Sequence, residues 1–171
     1  MREIPELDEY GAENGMEGKY LVFMVDKENY GLEIKYVTEI IGLQPVTPVP
    51  DLPGYIKGVI NLRGTVIPIM DVSLKLGGEA LEFGTRSRIV VVEHGDVAFG
   101  VIVDGVREVR VIKKEQIEPA DSVDSNISRE YLKGVAKIDD GRLIVLLDVA
   151  GLFEIESFLG EQGVAEGGTL R

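Results

Sequence analysis

Chemistry needs ionisable or nucleophilic side chains held together, and few residues of this 171-residue chain qualify. There is one histidine, His94, and no cysteine, which leaves no Cys–His pair and no thiolate metal site. His94 stands in the turn-like run His94-Gly95-Asp96; a base or metal ligand needs partners to orient it, and a lone turn histidine reads as a solvent-exposed residue. Carboxylates can act without histidine. Asp71 and Asp148 each close an apolar run, and brought together they could do acid–base work. Each also sits where a helix could begin, so capping accounts for both with fewer assumptions; the second would start a helix over 149–159. Asp104 precedes Gly105 and reads as a turn residue. Asp139-Asp140-Gly141 starts like a calcium loop but lacks the regular oxygen ligands and the distal glutamate. Neither GxxxxGK[ST] nor a GxGxxG between strand and helix occurs, and the glycines of 163–168 read as flexible tail. No catalytic residue, cofactor or metal is expected.

The elements that would position such residues are short strands and tight turns. The runs at 19–25, 58–64, 65–70, 88–93, 97–103, 135–138 and 142–147 are rich in β-branched residues and broken by Asp, Asn and Gly. Two of them, 88–93 and 143–147, are apolar at consecutive positions, the pattern of strands covered on both faces. Apolar residues make up 44% of the chain, enough for a substantial interior, yet no run approaches the ~20 residues of a membrane helix. The N-terminal residues lack the basic start and apolar stretch of a secretory signal, so a cytoplasmic protein is expected. The net charge is −12, but 1–18 carries −5 and 154–171 carries −3, leaving −4 for 19–153. The acidity belongs to two flanks that read as solvated tails. With no basic patch, nucleic acid is an unsuited partner.

An internal repeat organises the middle. Tyr55-Ile-Lys-Gly-Val59 returns as Tyr131-Leu-Lys-Gly-Val135, and Val66-Ile-Pro-Ile-Met-Asp-Val72 as Leu143-Ile-Val-Leu-Leu-Asp-Val149. Tyr30-Gly-Leu-Glu-Ile34 matches Phe99-Gly-Val-Ile-Val103, and Val37-Thr-Glu-Ile40 matches Val106-Arg-Glu-Val109. The order is kept, so two related β-rich units are expected at about 19–76 and 88–153, between an acidic tail at 1–18 and a helix end and tail at 154–171. Units this small bury too little surface to stand alone. Two small antiparallel barrels sharing a core, with a groove between them, satisfy both the repeat and the doubly covered strands.

At Gly58-Val-Ile-Asn-Leu-Arg-Gly-Thr-Val-Ile-Pro-Ile-Met-Asp71 the sequence closely resembles the CheW family of chemotaxis coupling proteins. The family pattern continues in Thr47-Pro-Val-Pro50, Val101-Ile-Val-Asp-Gly-Val106, Ile117-Glu-Pro119 and Tyr131-Leu-Lys-Gly-Val-Ala-Lys137, and covers about 19–153. The resemblance implies a mostly β protein of two interlocked five-stranded SH3-like barrels with few short helices. It implies a non-enzymatic adaptor that binds the regulatory domain of the histidine kinase CheA and the cytoplasmic hairpin tip of a chemoreceptor. It would associate with membrane receptor arrays through protein contacts, without insertion. CheA itself, and CheV with its receiver domain, carry further domains whose signals are missing here, so the stand-alone module is the closer likeness.

The resemblance also places sites. Arg63 stands at a hairpin tip whose counterpart in the repeat, Asp139 and Asp140, has the opposite charge, and the family pattern puts it at the receptor groove. Glu39 and Val37 join it there, although Val37 alone reads as core. Val106 and Val109, the repeat equivalents, either line the facing wall or pack in the core. Gly58 allows close backbone approach. Val46, Thr47 and Lys57 are the kinase-side candidates. So is Val123, an apolar residue in a polar loop where some family members carry an aromatic. Two alternatives stay open: a same-fold coupling protein of a non-flagellar motility or developmental chemosensory pathway, and a small enzyme or ligand-binding barrel using Asp71 and Asp148.

Overall fold

Alternate residues of the first strand face two different interiors, and the architecture follows from that. The computed structural model describes residues 18–120, 129–138 and 141–152. In order they form β1 (Lys19–Val25), β2 (Glu28–Glu33), β3 (Val37–Ile41), β4 (Ile56–Leu62), β5 (Thr65–Asp71) and α1 (Val72–Lys75). After the connection come β6 (Arg88–His94), β7 (Val97–Val103), β8 (Gly105–Val111), β9 (Ile117–Pro119), β10 (Leu132–Lys137), β11 (Leu143–Leu147) and α2 (Val149–Leu152). The expected helix over 149–159 is thus described to Leu152, and its remainder lies outside the described residues. So do the two acidic tails, apart from Gly18, and the turn residues Asp139 and Asp140.

Two sheets result, ordered β3-β6-β7-β5-β4 and β8-β1-β2-β11-β10-β9. The repeat equates β1 to β5 with β6, β7, β8, β10 and β11. Exchanging equivalents turns one sheet order into the other, leaving only β9 over. With β9 set aside, each sheet takes two strands from one half of the repeat and three from the other. The halves interlock and neither owns a sheet. The registers obey the same exchange. The parallel pair Ile69–Gly100 answers Leu146–Gly31, and the bulges beside Gly58 and Gly134 answer one another. The counterpart of β9 in the first half is a single bridge, Thr47 to Val59, so one barrel has six strands and the other five.

Three apolar clusters fill this frame. One barrel encloses Tyr20, Val22, Ala136, Ile144 and Leu146, and the other their equivalents Ile89, Val91, Ile60, Ile67 and Ile69. Between the barrels, Leu21, Phe23, Val25, Val90, Val92 and Phe99 form a shared cluster. β1 and β6 thus send odd and even positions to different interiors, which is why they carry consecutive apolar residues. Each fully buried Leu, Ile or Phe contributes roughly 1.5–3 kcal/mol. Much of that stability exists only when both halves are present.

Candidate partner-binding surface

Arg63 and Gly64 make the two-residue turn between β4 and β5, with φ of 52° and 89°. Positive φ at both central positions defines the type I′ hairpin turn, whose twist matches that of the strands. Asn61 braces it, its Oδ1 accepting from the Gly64 N–H at 2.8 Å. An arginine in this left-handed conformation is unusual, since Asn and Gly take it at less cost. The guanidinium reaches across to β3 and forms a salt bridge with the Glu39 carboxylate. The side chains are 69% and 30% exposed, so the pair adds at most about 1 kcal/mol to stability. Its effect is to hold both charges in fixed positions at the surface.

The remaining receptor-side candidates differ in how much surface they offer. Val37 is 5% exposed in the shared cluster and offers almost no surface. Val106 and Val109, on β8 of the other sheet, pair with Phe23 and Leu21 and are half-buried against the same cluster. Gly58 is buried, and a Cβ there would lie 2.1 Å from the Thr47 carbonyl oxygen at a φ of 143°. That close approach lets Thr47 exchange backbone hydrogen bonds of 2.8 and 2.9 Å with Val59. Val46, Thr47 and Lys57 consequently sit together along β4, Thr47 exposed and the other two half-buried. Val123 lies outside the described residues.

Among the described residues no group of three or more His, Asp or Glu side chains could hold a metal. Asp71 and Asp148 act as caps: Asp71 accepts from the Leu74 N–H at 3.2 Å, and Asp148 from the Gly151 N–H at 3.3 Å. Asp71 is fully buried and also accepts from the Leu81 N–H at 3.0 Å, tying down the connection between the halves. His94 departs from the sequence expectation. It ends β6, half-buried, with its ring 5.5 Å from that of Tyr36, because the turn begins one residue later than His94-Gly95-Asp96 suggests.

Two features escaped sequence reasoning. Val66 and Leu143, equivalent in the repeat, are 45% and 53% exposed, the outward positions of β5 and β11. Period-two alternation about the buried Ile67 and Ile144 was the signal that could have found them. The second is Lys75, buried with its Nζ 4.2 Å from the Tyr55 ring centre and 4.7 Å from that of Tyr131. Burial opposes its charge, but hydrogen bonds to the two phenols outweigh burial and hold its pKa above the ordinary lysine value. The two tyrosines are repeat equivalents, one from each half, whereas the equivalent of Lys75 is Leu152. No sequence spacing announces that meeting.

The family model for the CheW-like domain matches residues 19–157. A chemotaxis protein CheW of Klebsiella aerogenes is 33% identical over 148 residues, covering 86% of this chain and 89% of its own length. A chemotaxis protein CheW of Rhizobium meliloti is 36% identical over 136 residues, covering 80% and 87%. The crystal structure of the scaffolding protein TtCheW from Thermoanaerobacter tengcongensis superposes with a TM-score of 0.71 at 37% identity, covering 77% of this chain and 88% of that one.

Proposed function

This chain belongs to the CheW family of non-enzymatic chemotaxis scaffold proteins, and from that membership we propose that it couples chemoreceptors to the histidine kinase CheA. The observation that carries the receptor assignment is the pair Arg63–Glu39. An arginine strained into a left-handed turn and held by a carboxylate on a neighbouring strand adds little stability, so fixed display of its charge is the better account. The tip of a receptor hairpin presenting an acid and an apolar ridge would meet Arg63 and the half-buried valines of β8. The kinase domain would take the β4 side, at Val46, Thr47 and Lys57, with Val123 as a further contact.

Work of this kind makes and breaks no bond. Coupling needs only that the adaptor touch two signalling states of its partners differently, and a rigid pair of interlocked barrels passes a shift at one face to the other. None of the described helices is long and apolar enough to cross a membrane, and attachment to receptor arrays would come through these protein contacts. Co-sedimentation with receptor fragments and CheA tests the reading. Arg63→Glu is expected to weaken receptor capture about tenfold or more, a loss of ~1.4 kcal/mol or more, with kinase capture retained. Unchanged receptor capture would overturn the site assignment.

A further inference from the structure

A cleft of about 1020 Å³ opens where the start of β1, the end of β2, the end of β8 and the start of β10 converge, away from the Arg63 tip. Four lysines line it, Lys35, Lys113, Lys114 and Lys133, all on the exposed surface. Two acids oppose them. Glu33 is already engaged, 3.9 Å from Lys35 and 3.6 Å from Lys133, leaving Glu115 against Lys113 and Lys114. The cleft is thus locally positive on a chain of net charge −12. Its lining is also apolar: Val111 is 55% exposed there, beside Ile117. The Tyr20 hydroxyl borders it and stays protonated, because burial and then the Glu33 charge push its pKa up to about 12.

Gly18 forms part of the wall, its carbonyl accepting from the Ile112 N–H at 2.9 Å. Immediately before it in sequence come Glu3, Glu6, Asp8, Glu9, Glu13 and Glu17, with no basic residue from 3 to 17 and with Ile4, Leu7 and Tyr10 at intervals of three. We propose that this lysine-lined cleft is the docking site for the chain's own acidic N-terminal stretch, residues 3–17. Carboxylates meet the ammonium groups, and Ile4, Leu7 or Tyr10 covers Val111. Each exposed ion contact contributes at most about 1 kcal/mol, which would not hold a free peptide. Tethering at Gly18 supplies the difference, since a short linker gives an effective concentration on the order of millimolar. Docking of this strength is sensitive to salt.

The chain has no cysteine, so Pro5→Cys carries a single spin label in the full-length protein. Paramagnetic broadening of the Lys113, Lys114 and Lys133 amides is the readout. At low salt the broadening is expected to exceed by roughly threefold or more that seen at about 0.5 M salt. Lys113→Glu with Lys114→Glu should reduce it equally, whereas Lys27→Glu with Arg86→Glu, exposed cations outside the cleft, should not. Broadening that ignores both salt and the cleft reversal would overturn the proposal, leaving only proximity through the tether. So would cleft shifts that grow with protein concentration instead, which would point to a second copy as the occupant.

Discussion

The two halves of this chain share a skeleton to the level of individual hydrogen bonds, yet they present different surfaces. The Asp71 amide donates to the Tyr55 carbonyl at 2.8 Å, and the Asp148 amide to the Tyr131 carbonyl at 2.9 Å. Gly58 and Gly134 occupy equivalent bulges, and five buried positions of one barrel interior are repeat equivalents of five in the other. What differs lies at the turns, the connections and the axis between the halves. The first half has an arginine-tipped hairpin clasped by Glu39, a bare bridge at Thr47 where the second has β9, and Lys75 where the second has Leu152. Most duplicated positions are those where a backbone contact or a core neighbour constrains the side chain. Divergence falls at the exposed hairpin tip and the Thr47 bridge, and also at the buried Lys75, whose equivalent is Leu152.

The sharpest way to break that comparison is at the bulge glycines. Gly58→Ala must place its Cβ 2.1 Å from the Thr47 oxygen at a positive φ, whereas Gly134→Ala meets the Glu118 oxygen at 2.5 Å without that strain. Urea unfolding should show a loss of about 4 kcal/mol or more for the first and about 2 kcal/mol for the second. Equal losses would mean that the two bulges are more alike than their backbones suggest.

The capping acids come next. Asp71→Ala strands the Leu74 and Leu81 amides in a buried site and is expected to cost about 3 kcal/mol. Asp148→Ala, at a half-buried cap with the single Gly151 amide among its described partners, should cost about 1 kcal/mol. Should either variant instead fold normally and lose a catalytic or ligand-binding activity, the capping reading would fail.

Alkali should separate the barrels. Tyr20 and Tyr30 belong to one sheet, and their equivalents in the other are Ile89 and Phe99. Both phenols have raised pKa values, Tyr20 at about 12, chiefly through burial. A folded pKa above the unfolded value of 10.0 means that folding holds the proton, so stability is complete below pH 10 and falls as pH climbs toward 12. Lys75, also raised, acts with the same sign above the ordinary lysine value of 10.5. Tyr20→Phe should therefore gain about 1 kcal/mol over the wild type at pH ~11, beyond any difference at pH ~7, in paired urea titrations.

The smallest effect concerns the tip itself. Arg63→Ala should change the unfolding free energy by less than about 1 kcal/mol, because the pair it breaks is exposed. A larger loss would make Arg63 a structural residue and weaken the case that its charge is there for a partner.

The sequence by itself determined what depends on neighbours along the chain: short strands from β-branched runs, the turn at Arg63-Gly64, the capping acids at strand ends, and the doubled unit from repeated motifs. It also showed that β6 must be covered twice, since no single apolar face explains 88–93. Only the tertiary structure decided how the units combine. A repeat states which strands are equivalent, but a hairpin such as β1–β2 satisfies the same local pattern whether it completes its own half or the other. The parallel pairings β5–β7 and β11–β2 settle that question, and they join residues about 30 and 115 positions apart, beyond the reach of any periodicity. The Arg63–Glu39 pair, the lysine between two tyrosines and the positive cleft arise from the same long-range assembly. Charges meet there because chain folding brings distant loops to one surface, and spacing along the sequence carries no record of it.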